Sequence, residues 1–156
     1  MKNPITKHGF EQIEAELNKL VTEDREKIKV AIAEARALGD LKENAEYHAA
    51  KEKQGHIEGR IMELQGQIAT AEIIDPKNIT NDKVVFGATV TLLNTETDES
   101  VTYQLVGQIE ADRKQGKISY LSPIGKSLLG KEEGDTVIVR APKGDIEYEI
   151  ESITYE

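Results

Sequence analysis

Residues 47–71, YHAAKEKQGHIEGRIMELQGQIATA, decide the fold of the first half of this chain. Their seam residues recur at alternating steps of three and four: Tyr47, Ala50, Gln54, Ile57, Ile61, Leu64, Ile68 and Ala71. This spacing is the heptad pattern of a helix that packs against another helix along one seam. Residues 6–38 contain no proline and show the same spacing less regularly. The sequence therefore predicts two long helices.

A short turn joins the two helices, since Gly39 and Asp40 are typical of a helix stop. Helices joined by so few residues fold back on each other, which predicts an antiparallel two-helix coiled coil. The register that fits the seam makes these pairs: Leu38 with Tyr47, Ile28 with Ile57, Val21 with Leu64 and Leu17 with Ile68. Asp24, opposite Ile61, is the one charged residue that interrupts the apolar pairs.

The hydrophobic pattern changes at Asp75 and Pro76, and residues 76–82 have the polar, breaker-rich composition of a linker. Stretches rich in β-branched residues and tyrosine follow, at residues 83–86, 88–94, 100–106, 117–121, 136–140 and 146–155. One short helix fits residues 123–129, with Ser122 as its N-cap and Gly130 after its end. The predicted fold class is α+β: an antiparallel coiled-coil hairpin over residues 1–75, the linker, and a small, mostly antiparallel β-sheet domain with one short helix over residues 83–156.

Composition and charge exclude several classes of function. The chain has 156 residues with 20 Lys and Arg against 29 Asp and Glu, so its net charge is −9. Any contact with nucleic acid must then come from a local patch rather than from bulk charge. The absence of Cys excludes disulfides, thiolate metal sites and a Cys nucleophile. No stretch approaches the roughly 18 apolar residues of a membrane span, so we expect a soluble, cytoplasmic protein without a membrane partner.

The turn between the helices carries two carboxylates, Asp40 and Glu43, followed by Asn44, Glu46 and Tyr47. One interpretation is capping, because Asp-x-x-Glu before a helix resembles a capping box and carboxylates favour a helix N-terminus. The other is that two hard carboxylate oxygens at the end of a rod help to hold Mg²⁺, with the remaining ligands supplied by another molecule. Spacing alone favours capping and leaves the metal interpretation open.

A basic stripe follows one side of the predicted hairpin and consists of Arg25, Lys29, Arg36, His48 and Lys51. On an acidic chain, a basic stripe that leads to an acidic turn suggests a path for a nucleic-acid backbone. The alternative is a solvated face with ion pairs between the helices, such as Arg25 with Glu58 and Glu34 with Lys53. Periodicity alone favours this alternative.

Residues 39–52, GDLKENAEYHAAKE, closely resemble the coiled-coil tip of the Gre family of bacterial transcript cleavage factors. The resemblance covers almost the whole chain and continues in order through EGRI at 58–61, VFGATV at 85–90, SPI at 122–124 and LGKE at 129–132. It implies an FKBP-like C-terminal domain that binds bacterial RNA polymerase. It also implies that the coiled coil enters the secondary channel of the polymerase and reaches the 3′ end of a backtracked nascent RNA.

The resemblance also assigns roles to individual residues. By position, Asp40 and Glu43 are the acids that help the polymerase hold a second Mg²⁺, with none bound by the isolated protein. The residues that would support this tip are Asn44, Glu46 and Tyr47, and those that would face the RNA are Arg25, Lys29, Arg36 and Lys51. The implied reaction is two-metal hydrolysis of an RNA phosphodiester by the polymerase, so the protein would not be an enzyme by itself. We expect a monomer, because one chain satisfies the seam.

Two other functions stay open on the sequence. One is a channel-binding inhibitor or adaptor, which shares the fold and the polymerase partner but does not stimulate cleavage. The other is a prolyl isomerase or chaperone, suggested by the FKBP-like half. The aromatic residues of that half are few for a proline pocket and include no Trp: Phe86, Tyr103, Tyr120, Tyr148 and Tyr155.

Overall fold

The computed structural model describes residues 2–39 and 44–156. The chain divides into two compact units, one made of Met1–Gly9 and Glu72–Glu156 and the other of Phe10–Ala71. We call these the sheet unit and the hairpin unit. The sequence prediction placed residues 1–75 in the hairpin, but the first nine residues belong to the sheet unit. The physical reason is a small second sheet, described below, that the sequence pattern did not indicate.

The hairpin unit is built from two antiparallel helical segments, as predicted. The first begins as α1 (Lys7–Lys19), passes through a π-helical turn (Leu20–Asp24) and continues as α2 (Arg25–Arg36). The second is α3 (Ala45–Thr70). Ion pairs between the helices show their antiparallel direction: Arg25 with Glu58, and Glu16 with Arg60.

The π-helical turn changes which residues fill the seam. The predicted register placed Val21 opposite Leu64, but Leu20 is the buried residue, at 9% exposure, and Val21 is half-buried. The seam residues Leu20, Asp24 and Ile28 are four residues apart, whereas a turn of α-helix has about 3.6 residues. The π-helical turn takes up the extra residue and keeps the seam continuous. The buried cluster of the seam consists of Leu20, Ile28, Ile57, Ile61 and Leu64.

Toward the turn, the seam has fewer large buried side chains. Leu38, predicted to pack on Tyr47, is 67% exposed. That prediction is wrong because α2 ends at Arg36, two residues before Leu38. The residues that approach each other at this end are mostly alanines: Ala35 is buried, and Ala31 and Ala50 are half-buried. Apolar burial therefore stabilises this end of the hairpin less than the isoleucine-rich part below it.

The main sheet of the sheet unit has five strands, β3 (Thr89–Asn94), β4 (Ser100–Val106), β5 (Lys117–Ser119), β6 (Thr136–Ala141) and β7 (Gly144–Thr154). Their order in the sheet is β5-β4-β3-β7-β6. Neighbouring strands are antiparallel except β4 and β5, which are parallel. The predicted sheet is therefore mixed at one edge, because two short 3₁₀ turns, Gln108–Glu110 and Arg113–Gln115, carry the chain back before β5 begins.

The helix α4 (Pro123–Leu128) begins as predicted, with Pro123 in its first turn and the Ser122 hydroxyl accepting a hydrogen bond from the backbone N–H of Gly125 at 3.1 Å. It supplies Leu128 to the core of the sheet unit. The other buried members of that core are Val84, Ala88, Val90, Leu92, Leu105, Ile118, Val137 and Ile150. Val90 and Leu92 are buried and alternate with less buried residues of β3, because successive side chains of a strand point to opposite faces of the sheet.

A second, two-stranded sheet pairs β1 (Asn3–Thr6) with β2 (Ala71–Ile74). The Thr6 hydroxyl then caps α1 by accepting a hydrogen bond from the backbone N–H of Gly9 at 3.1 Å. The carboxylate of Glu110 accepts the backbone N–H groups of Thr6 and Gly107, at 3.0 and 2.8 Å, and also the Thr6 hydroxyl. These bonds tie the first residues of the chain to the sheet unit.

Candidate functional site

The two predicted tip acids, Asp40 and Glu43, lie outside the described residues, which stop at Gly39 and resume at Asn44. The structure defines the two helix ends that flank them. The helix α2 ends at Arg36, and α3 begins at Ala45. The candidate site is therefore described from the residues on either side of the turn.

Asn44 is the N-cap of α3. Its backbone is extended, with φ −87° and ψ 95°, and its Oδ1 accepts the backbone N–H of Tyr47 at 3.0 Å. This bond satisfies one of the donors that the first turn of a helix leaves without a partner. The capping interpretation gave this role to Asp40, which lies outside the described residues. The cap is Asn44 because the helix begins only at Ala45.

Asn44 also bonds to the other helix. Its Nδ2 donates to the carbonyl oxygen of Ala35 at 2.5 Å. The Ala35 carbonyl lies in the last turn of α2 and also accepts the backbone N–H of Leu38 at 3.1 Å. Carbonyl groups in a last helical turn lack partners within the helix. One side chain thus satisfies groups at the end of α2 and at the start of α3.

The other two predicted tip-support residues follow directly in the first turn of α3. Glu46 is exposed, and its negative charge interacts favourably with the N-terminal end of the helix dipole. Tyr47 is half-buried, and its ring meets the ring of His48 edge-on, with the ring centres 5.6 Å apart. The structure therefore brings Asn44, Glu46 and Tyr47 together beside the turn.

Part of the basic stripe is neutralised by carboxylates. The guanidinium of Arg25 forms the predicted ion pair with Glu58, with Nη2 3.0 Å from Oε1. Lys29 pairs with Glu26 on its own helix at 3.1 Å. These two cations, farther from the turn, have charges that are partly compensated on the protein itself.

The cations of the basic stripe that lie nearest to the turn are Arg36 and Lys51, and both are exposed. The Lys51 Nζ donates to the side-chain oxygen of Gln54 at 3.2 Å. Within residues 2–39 and 44–156, neither Arg36 nor Lys51 forms an ion pair with a carboxylate. Arg36 and Lys51 are therefore the cations of the basic stripe whose charge no described carboxylate pairs with.

A groove in the sheet unit has no counterpart in the sequence prediction. It has a volume of about 370 Å³ and lies where β5, α4 and β6 approach one another. Its apolar lining includes Ile118, Ile124 and Val139, and its charged lining consists of Arg113, Lys117, Arg140 and Asp112. The motif SPI at residues 122–124 marked one wall, but the other walls come from segments distant in sequence. No local pattern could have brought them together.

No cluster of three His, Asp or Glu side chains capable of holding a metal ion occurs among the residues that the structure describes. The chemistry of the predicted tip still fits Mg²⁺, because its two carboxylates are hard oxygen ligands. Of the helices in residues 2–39 and 44–156, none combines the length and the apolar character needed to cross a membrane.

Comparison with known proteins places both halves of the chain in one group. Residues 3–73 match the family model "Transcription elongation factor, N-terminal", and residues 79–155 match "Transcription elongation factor, GreA/GreB, C-term". The transcription elongation factor GreA of Anaeromyxobacter sp. (strain K) is 57% identical over 152 residues, covering 97% of this chain and 92% of the relative. That of Thioalkalivibrio sulfidiphilus is 57% identical over 155 residues, covering 99% and 98%. Among solved structures, the GreA factor homolog 1 (Gfh1) protein of Thermus thermophilus is 28% identical with a TM-score of 0.45, covering 98% of this chain and 99% of that one.

Proposed function

The chain belongs to the GreA/GreB family of transcription elongation factors, and from this premise we propose that it stimulates the RNA cleavage activity of bacterial RNA polymerase. The hairpin enters the secondary channel of the polymerase and brings Asp40 and Glu43 to its active centre. Cleavage there removes the extruded 3′ end of a backtracked transcript and rescues the arrested complex. The observation that carries the proposal is a long helical hairpin of this family with two carboxylates in its turn.

In this proposal Asp40 and Glu43 contribute carboxylate oxygens to an Mg²⁺ ion that the polymerase also holds, and the isolated protein binds none. Magnesium supplies water activation and charge stabilisation for phosphodiester hydrolysis. Asn44 supports the proposal because it already caps α3, so the helix does not require a tip carboxylate for that purpose. Arg36 and Lys51 attract the phosphates of the extruded RNA.

The test uses stalled, backtracked polymerase with labelled 3′-extended RNA. We expect the wild-type chain to release short 3′ fragments and the double variant Asp40→Ala with Glu43→Ala to release none, while still competing for polymerase. A matched control removes two exposed carboxylates of α1 instead, with Glu11→Ala and Glu14→Ala, and keeps full activity. Equal release by the tip variant would refute the role of the acids. Binding without release by the wild type would identify a channel inhibitor or adaptor.

The sheet unit is proposed to dock on the polymerase through the groove between β5, α4 and β6. Three cations and one carboxylate surround its apolar floor, which suits an apolar polymerase segment flanked by acidic residues. Reversing the charge of Arg113 and Arg140 to Glu should weaken binding to polymerase. The matched control reverses Lys77 and Lys83, exposed cations of the same unit outside the groove. Equal loss of affinity in both variants would count against docking at the groove.

A further inference from the structure

Asn44 bonds both helices of the hairpin through opposite ends of one side-chain amide. Its Oδ1 accepts the backbone N–H of Tyr47 at 3.0 Å, and its Nδ2 donates to the carbonyl of Ala35 at 2.5 Å. We propose that Asn44 is a positioning residue, which fixes the end of α2 against the start of α3 so that cleavage stimulation depends on its donor as well as on its acceptor. This inference rests on the proposed function.

The chemistry of the two bonds distinguishes this role from simple capping. An N-cap needs only an acceptor, so Ser, Thr, Asp and Asn all serve at such a position. The bond to Ala35 needs a donor as well, held at the other end of the same short, planar group. An asparagine amide carries both functions, whereas an aspartate carboxylate of the same shape only accepts. The pairing of partners around Asn44 therefore requires an amide.

The packing around Asn44 explains why such a bond matters at this position. Apart from the half-buried Tyr47, the seam residues nearest to the turn are small, with Ala35 buried and Ala50 half-buried, and Leu38 is exposed. The first large buried side chains of the seam are Ile28 and Ile57, farther from the turn. A buried alanine contributes far less to stability than a buried isoleucine. The two hydrogen bonds of the Asn44 side chain thus add to the limited apolar packing at this end of the hairpin.

Asn44 also lies at the point where the two ends of the turn meet. It is the first described residue after the tip acids, and Ala35 lies in the last turn of the helix before them. A bond between these residues closes the chain segment that carries the tip, so it limits the separation of the segment's ends. Misplacement of a ligating or reacting group by about 1 Å can reduce a reaction rate about a hundredfold.

The test uses two substitutions that keep the cap and remove the donor to Ala35. Asn44→Asp preserves the shape but adds a charge, and Asn44→Ser stays neutral but is too short to reach both partners. We expect both variants to lower the maximal cleavage rate about tenfold, the effect of losing one hydrogen bond. The concentration of factor that gives half-maximal cleavage should stay unchanged, because the sheet unit is intact. The matched control, Asn18→Ser, changes an exposed asparagine of α1 and should keep the wild-type rate.

A second readout works on the isolated protein. Backbone ¹⁵N relaxation should show lower order at Leu38 and Ala45 in both Asn44 variants and not in Asn18→Ser, because the helix ends are no longer joined. Wild-type cleavage rates or wild-type order in both Asn44 variants would overturn this inference. Failure of the wild-type protein itself to stimulate cleavage would instead overturn the proposed function on which the inference rests.

Discussion

Replacement of Glu110 by alanine tests how the first residues of the chain are held in the sheet unit. The Glu110 carboxylate accepts the backbone N–H groups of Thr6 and Gly107 and the hydroxyl of Thr6. The alanine side chain accepts none of these. Glu110→Ala therefore leaves three donors without their protein partner and also removes support from the residue that caps α1.

The expected cost follows from the bonds that are lost. A hydrogen bond contributes about 1 kcal/mol net, and water reaches part of this half-buried site, so the free energy of unfolding should fall by about 2–3 kcal/mol. For a chain of this length that corresponds to a decrease in Tm of about 5–10 °C. Near-UV circular dichroism follows this change well, since four of the five tyrosines lie in the sheet unit.

Two further variants test whether the hydrogen bonds of the Glu110 carboxylate account for the fall in Tm. Gly9→Ala places a Cβ on the Glu110 carboxylate, which can move away only by giving up its hydrogen bonds to Thr6 and Gly107, so the substitution should destabilise the protein although alanine is the better helix former. Glu96→Ala removes an exposed carboxylate that accepts no hydrogen bond within the described part of the chain and should leave Tm unchanged. An unchanged Tm in Glu110→Ala, or a higher Tm in Gly9→Ala, would refute the reasoning.

Three other predictions follow from the contacts of the two units. Alanine at the exposed glycines of α3 should raise the free energy of unfolding by about 0.5–1 kcal/mol each, measured by far-UV circular dichroism, because a Cβ meets open space there: Gly55, Gly59 and Gly66. Hydrogen bonds from Arg60 hold the pKa of Glu16 below its ordinary value, so the pair stabilises the hairpin at neutral pH and loses this effect as pH falls through the lowered pKa. The Tm difference between wild type and Glu16→Gln should accordingly shrink on acidification, and a constant difference would contradict this cause. The few aromatic residues of the sheet unit, with no Trp among them, predict that a peptide isomerisation assay detects no prolyl isomerase activity, and turnover in this assay would contradict that expectation.

The parts of the fold that were predictable from sequence are those encoded by local patterns. The heptad spacing after Tyr47 predicted α3, and the order Ser122, Pro123 predicted the start of α4. The stretches rich in β-branched residues and tyrosine located the five strands of the main sheet, although residues 83–86 make only an isolated bridge, between Lys83 and Glu132. In each case a few neighbouring residues carry the whole signal.

The features that escaped prediction depend on distant partners or on a choice between equivalent residues. The strands β1 and β2 have four residues each, which is too few to show a hydrophobic pattern of their own. They pair with each other although the hairpin unit separates them in the sequence. Leu20 and Val21 are adjacent apolar residues, and only the π-helical turn decides which one is buried. Such choices depend on packing in three dimensions.

The candidate site also has features that local sequence patterns predict and features that depend on contacts between the helices. Asp40 and Asn44 are both good N-cap residues, so spacing alone could not show that α3 begins after Asn44. The bond from Asn44 to Ala35 joins two helices and has no sequence signal. The partial neutralisation of Arg25 by Glu58 depends on the register of the hairpin; the heptad pattern predicted this pair, although it placed Val21 and not Leu20 in the seam.

The sharing of a metal ion between this chain and the polymerase is tested most directly by the Mg²⁺ dependence of RNA cleavage. The rate of fragment release from backtracked polymerase is measured over a range of Mg²⁺ concentrations, with the wild-type chain and with the isosteric variant Asp40→Asn, Glu43→Gln. We predict that the wild-type chain lowers the Mg²⁺ concentration needed for half-maximal cleavage and that the variant restores the value of polymerase alone. The same Mg²⁺ dependence with wild type and variant would contradict the role of Asp40 and Glu43 as ligands.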